Sequence, residues 1–171
     1  FISRLTKEIP KTVLNGHARE RVPNNVIVLP PPSDLAVKVI TPPVSAFSGE
    51  TVTITWEVTN LSSETATGFW ADAAYLSKDS VWDLGDQLIG RYDFASLQQQ
   101  QTLAPGQSYT ATLTAPIPVA LPGNYRIIIR ADVFDDIYES TNTNNTLASG
   151  VAVEVKVKTL TLSIPANDAL S

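Results

Sequence analysis

Three carboxylates recur at spacings of four and three in Asp79-Ser-Val-Trp-Asp83-Leu-Gly-Asp86, with a glycine among them. Carboxylates placed this way can wrap oxygen ligands around a hard cation, and calcium takes about six to eight oxygens from carboxylates, carbonyls and water. The spacing departs from the EF-hand loop. Aspartates in a connection between strands also bond nearby backbone amides, so Asp79, Asp83 and Asp86 are candidates for either use. A second acidic stretch holds Asp132, Asp135, Asp136 and Glu139, then Asn142, Asn144 and Asn145. The same ion suits Asp135, Asp136 and Glu139, while the asparagines suit turn conformations equally well. Trp82 lies between Asp79 and Asp83, where an exposed indole would stack on a sugar or on a neighbouring protein. Trp70 is a second candidate for such a surface, and both also fit packing. His17 is the single histidine. No serine or threonine beside it completes a nucleophilic triad, and no nucleophile elbow occurs. The expectation is a chain without catalytic residues.

The elements that must position these residues are strands. Val52, Ile54, Trp56 and Val58 alternate with Thr51, Thr53, Thr55, Glu57 and Thr59, the period-two pattern of a half-buried strand. The alternation returns at Leu35, Val37 and Val39, at Tyr109, Ala111 and Leu113, and at Tyr125, Ile127 and Ile129. Ile128, between the last two, predicts a second covered face. Val151, Val153, Val155 and Val157 form a further apolar set. Turn signals separate these runs at Ser48-Gly49-Glu50, Pro105-Gly106 and Pro122-Gly123-Asn124. No segment carries a sustained helical period, and residues 98–101 read as a polar loop or a short helical turn. About seven short strands with frequent turns predict an all-β, immunoglobulin-like antiparallel β-sandwich.

Composition narrows the function. The 171 residues form a chain long enough for one domain with its own core. There is no cysteine, hence no disulfide and no thiolate metal site. Net charge is −5, and the basic residues are scattered. The clustered positive face that phosphate backbones require is missing, so nucleic acid is not an expected partner. No apolar run is long enough to insert in a membrane. Methionine is absent, and the expectation is a piece of a longer exported protein. Pro30-Pro31-Pro32 is stiff and cannot sit inside a central strand. It predicts an N-terminal flank over residues 1–32, a sandwich over 33–157, and a C-terminal flank or the start of a next module over 158–171.

Three stretches together resemble a known family. The first is Ser33-Asp34-Leu35 with Phe47-Ser-Gly-Glu-Thr-Val-Thr-Ile-Thr-Trp-Glu-Val-Thr-Asn60. The second is Trp70-Ala-Asp-Ala-Ala-Tyr-Leu-Ser77 with Asp79, Asp83, Gly85-Asp86 and Leu88-Ile-Gly90. The third is Pro122-Gly-Asn-Tyr125 with Ala131-Asp132, Glu139 and Asn144-Asn145. They resemble the cell-adhesion-related domain found in bacteria, CARDB, over residues 33 to about 157. The resemblance implies an immunoglobulin-like sandwich repeated within large extracellular or cell-surface proteins, and it supplies no catalytic residues.

The leading functional expectation is therefore a non-enzymatic structural or adhesive repeat module. Its partners would be neighbouring modules of the same chain, other protein subunits, a glycan or a cell-surface protein. Two alternatives stand beside it. One is a self-assembling fibre subunit exchanging strands through residues 21–30 or the tail at Leu160, Leu162 and Ile164, since sheet edges accept added strands. The other is a calcium-assisted module for carbohydrate or peptide, built around Trp82 or Trp70.

Overall fold

The computed structural model describes residues 29–94 and 101–159, with the backbone of Arg4–Leu5 and Val26–Ile27. The chain divides into two compact units, Phe1–Pro31 and Pro32–Ser171. In the first, β1 (Arg4–Leu5) pairs antiparallel with β2 (Val26–Ile27). His17, residues 98–100 and the tail from Leu160 lie outside the described residues.

The second unit holds β3 (Leu35–Thr41), β4 (Ser45–Phe47), β5 (Thr51–Asn60), β6 (Ala66–Gly68), β7 (Ala71–Ser77) and β8 (Gln87–Asp93). It continues with β9 (Gln101–Leu103), β10 (Ser108–Pro116), β11 (Gly123–Arg130), β12 (Thr146–Ala148) and β13 (Val153–Lys156). One sheet runs β10-β5-β3, all antiparallel. The facing sheet runs β4-β13-β11-β7-β8, and β12 also pairs with β11. A short β6-β9 ribbon completes the set. This is an all-β sandwich with the predicted alternation: Val52, Ile54, Trp56 and Val58 are buried along β5. Across the gap, Leu76 of β7, Tyr125, Ile127 and Ile129 of β11, and Val153 and Val155 of β13 join the same core. Ile128 is also fully buried, so the outer face of β11 is covered, as its sequence predicts.

Backbone chemistry sets the corners. Pro42 and Pro43 cannot donate to a ladder, so β3 stops at Thr41 and the chain crosses to the other sheet. There β4 pairs parallel with β13, while the other ladders between strands are antiparallel. Gly49 (φ 80°) and Gly106 (φ 69°) take the positive φ that the third position of a type II turn demands. The turns close through Glu50 N to Phe47 O at 2.9 Å and Gln107 N to Ala104 O at 3.1 Å.

Two details of the expected strands are corrected. The register slips between Val37 and Val39, so a bulge turns Val39 outward (53% exposed) while Ile40 packs against the core. The valine run is shorter than it reads: Val153 and Val155 are buried, Val151 and Val157 exposed.

Chain direction has a functional consequence. Leu35, where the chain enters the sandwich, lies opposite Asn60 at the end of β5. Lys156, where it leaves, pairs with Phe47 and accepts from Ser48 N at 2.8 Å, beside the start of β5. Entry and exit are therefore at opposite ends of β5, about 30 Å apart at roughly 3.3 Å per residue.

The bulge predicts a sharp contrast between two valines. Val37→Ala should lower the unfolding free energy by about 1–3 kcal/mol, and Val39→Ala by less than about 0.5 kcal/mol. Equal losses in urea unfolding would show that the register does not slip.

Candidate functional site

The hairpin connection of residues 78–86 joins β7 to β8, and its three aspartates bond its own backbone. Asp79 Oδ1 accepts from Val81 N (2.8 Å), Asp83 Oδ1 from Gly85 N (2.6 Å) and Asp86 Oδ2 from Asp83 N (3.0 Å). Each carboxylate thus closes a local turn in an exposed loop. The structure does not bring them to one point: among the described residues no three acidic side chains converge as a metal-holding group.

The β11–β12 loop, residues 131–145, is built differently. Asp132 and Asp135 take positive φ, 44° and 58°, a conformation that aspartate tolerates. The buried Asp132 accepts from Asp136 N (3.1 Å) and Ile137 N (2.9 Å). Asp135 accepts from Asn142 Nδ2 at 2.6 Å, and Asp136 is exposed. Glu139 reaches across the molecule, accepting from Leu35 N at 2.6 Å and Asn145 Nδ2 at 2.8 Å. Asn144 Nδ2 donates to Asp34 Oδ1 at 2.7 Å. Burial, and then the nearby charges of Asp132 and Asp34, push Glu139 up to about 7, although its hydrogen bonds pull the other way. A shallow depression of about 190 Å³ beside the loop is lined by Asp132, Asp135, Asn142 and Asn145.

The tryptophans separate. Trp70 is 2% exposed, packs on Phe94 (4.6 Å between centroids) and donates to Tyr109 Oη at 3.2 Å. It has no free face for a surface ligand, which corrects its candidacy. Trp82 is half-buried on the outer face. Its ring carries the Arg130 guanidinium at 3.9 Å and meets Tyr75 edge-on, while its Nε1 has no protein partner. Exposed Val81 and Leu84 flank it in the hairpin.

Asp72 was not among the candidate residues. It is 0% exposed. Trp56 Nε1 donates to its Oδ2 at 2.7 Å, and Tyr109 Oη donates to both oxygens at 2.8 and 3.0 Å. Asp132 N approaches Oδ1 at 3.3 Å. Desolvation outweighs these donors and pushes Asp72 up to about 6. A carboxyl so shifted in a cleft would be a candidate proton donor, but this one is sealed between the sheets. Its signal in the sequence was parity: Asp72 shares the inward phase of Ala74 and Leu76.

Asp72 generates a pH prediction. Its folded pKa lies above the ordinary 3.8, so the native state holds the proton more tightly. The resulting stability is fully present below about pH 4 and lost as pH rises through about 6, for a total of about 3 kcal/mol. The gain in stability of the wild type from pH 7 to pH 4 should shrink by that order in Asp72→Asn, which cannot titrate. Parallel pH profiles from urea unfolding would refute the assignment. The tryptophans give a second test. Trp70→Ala should cost about 3–5 kcal/mol, and Trp82→Ala about 1–2 kcal/mol through lost cation–π and packing contact. The reverse order in denaturant unfolding would mean the two have been misplaced.

The comparisons with known proteins agree with this architecture. The family model for CARDB matches residues 32–149. The crystal structure of the CARDB domain of a Pyrococcus furiosus protein, in complex with di-metal ions, is 19% identical. The match covers 72% of this chain and 89% of that one, with a TM-score of 0.50. A solution structure of residues 272–376 of a Methanosarcina acetivorans protein assigned to the cell surface is 16% identical, covers 71% of this chain and 92% of that one, and also has a TM-score of 0.50. No curated protein matches the sequence significantly. Among the described residues no helix is long and apolar enough to cross a membrane. With more than half of its length matched by that model, the chain belongs to the CARDB family.

Proposed function

We propose that this chain is a non-enzymatic structural or adhesive module of an extracellular or cell-surface protein, working in series with neighbouring modules. The observation that carries the reading is the polarity of the sandwich. The chain enters beside Asn60 and leaves beside Phe47, at opposite ends of β5. Modules joined this way extend in line, each adding its own length, and a sandwich closed by two sheets resists shape change along that axis. Membership in the family, and a relative assigned to the cell surface, support the same reading.

The fibre alternative gains less support. Val26–Ile27, the strand-forming part of the expected donor segment, is paired with Arg4–Leu5 inside its own unit. A second reading has a specific observation in its favour. The half-buried Trp82 and the exposed Val81 and Leu84 form an apolar face on the hairpin. That face suits a glycan or a cell-surface protein. A bound cation is part of this reading: the Pyrococcus furiosus relative was crystallised with metal ions, and the β11–β12 loop supplies calcium-type oxygens.

The test is surface labelling of cells that make the parent protein. Lys38 and Lys78 are exposed. A membrane-impermeant amine reagent should therefore label them on intact cells as fully as after lysis. Labelling only after lysis would overturn the surface-module reading.

A further inference from the structure

The start of β3 and the end of the β11–β12 loop meet in a polar knot that lacks a component. Glu139 and Asp34 supply two carboxylates. Asn145 Nδ2 touches Glu139 Oε1, Asn144 Nδ2 touches Asp34 Oδ1, and Leu35 N touches Glu139 Oε2. The amide oxygens of both asparagines are buried and have no hydrogen-bond partner. Asn145 is only 6% exposed, so its oxygen is a deeply buried acceptor left unmatched, which ordinarily costs about 1–3 kcal/mol. Reversing the amide does not repair the defect, because it would set the oxygen against the Glu139 carboxylate. The knot also lacks positive charge. Among the described residues the one ion pair joins Lys156 and Glu154, so no cationic side chain makes a direct ion pair with Asp34, Glu139 or Asp132; Arg130, which lines the depression beside Asp132, sets its guanidinium on Trp82. Carboxylates partly withdrawn from water with no counter-charge in contact are costly.

One species answers both defects. A hard divalent cation accepts carboxylate and amide oxygens together and supplies the absent charge. Calcium contacts its oxygens at about 2.3–2.6 Å, closer than a water molecule approaches an acceptor. Oxygens arranged around such an ion would be hidden from water and unbonded to protein, as these two are.

We propose that Asp34, Glu139 and the side-chain oxygens of Asn144 and Asn145 bind a single calcium ion that clamps the β11–β12 loop to the first residues of β3. Waters complete the shell; of the four ligands Asn145 also lines the depression beside the loop. The inference rests on the cation reading above and assigns its residues: of the acidic positions singled out in the sequence it uses Glu139, and it leaves Asp79, Asp83 and Asp86 to their turns. The ion would sit where the chain enters the sandwich.

The test is calorimetric titration of the chelator-treated 171-residue chain with calcium chloride, together with its melting temperature with and without the ion. The wild type should bind one calcium and melt higher in its presence, by linkage. Glu139→Gln and Asp34→Asn, each removing one ligand charge, should each weaken binding by at least about tenfold, or about 1.4 kcal/mol. Asp34→Asn leaves the Glu139 bond to Leu35 in place. Lost affinity in that variant, with a metal-free melting curve like the wild type's, separates ligand loss from misfolding. A triple variant, Asp79→Asn with Asp83→Asn and Asp86→Asn, should bind as the wild type does. Binding that survives both knot variants and fails in the triple variant overturns this site and keeps the cation reading. No calcium binding by the wild type overturns both.

Discussion

A single buried acid holds the two sheets in one relation. Asp72 of β7 takes hydrogen bonds from Trp56 of β5 and Tyr109 of β10 in the opposite sheet. Apolar faces tolerate small slides, because dispersion and burial are not directional. Three donors converging on one carboxylate are directional, and removing any partner would leave a buried group unmatched. Tyr109 extends the lock: its hydroxyl donates to Asp72 and accepts from Trp70 Nε1 at 3.2 Å. Desolvation and the neighbouring carboxylate hold the Tyr109 phenol far above its ordinary titration range, so it stays a donor. Trp70, Phe94 and Tyr109 then stack into the end of the sandwich, with 4.0 Å between the last two rings. Through Asp132 N, the same carboxylate also fixes the second residue of the loop that carries the polar knot.

Much of this was legible in the sequence, and the exceptions have physical reasons. Period-two alternation marks β5 without ambiguity, since one face must be apolar and the other wet. It marks Trp56 as a core residue, and Trp56 is buried. The alternation cannot announce a bulge, because the extra residue, Lys38, falls on the polar phase between two valines and leaves the written pattern intact, so Val39 reads as inward until the ladder is seen. It also overruns real strand ends, as at Val151 and Val157, where valine continues after pairing has stopped. Asn60 is instructive in another way. In Asn60-Leu-Ser62 it matches a glycosylation acceptor, yet it is fully buried. Its side chain donates to Glu64 O and Leu103 O and accepts from Ser62. It ties β5 to the β6-β9 ribbon, a role that depends on partners 4 and 43 residues away.

The two acidic loops look alike in composition and differ in what surrounds them. Residues 78–86 connect adjacent antiparallel strands, a short exposed bridge in which every carboxylate finds a backbone amide within three residues. No buried carboxylate oxygen is left over there, the one unmatched buried polar side-chain atom of the hairpin being Trp82 Nε1. The β11–β12 loop is longer and is drawn inward because the start of β3 needs partners there: Ser33 N donates to Tyr138 O, Val37 N to Asn144 O and Ser140 N to Ser33 O. That cross-chain pairing carries Glu139, Asn144 and Asn145 under cover, where each polar atom must be matched or pay for its burial. Spacing along the chain could not distinguish the loops, because the distinction lies in contacts more than 100 residues apart. Acidic loops in sandwich folds therefore have to be sorted by how completely their oxygens are satisfied. By that measure the hairpin is finished, and the junction at Asp34 and Glu139 is not.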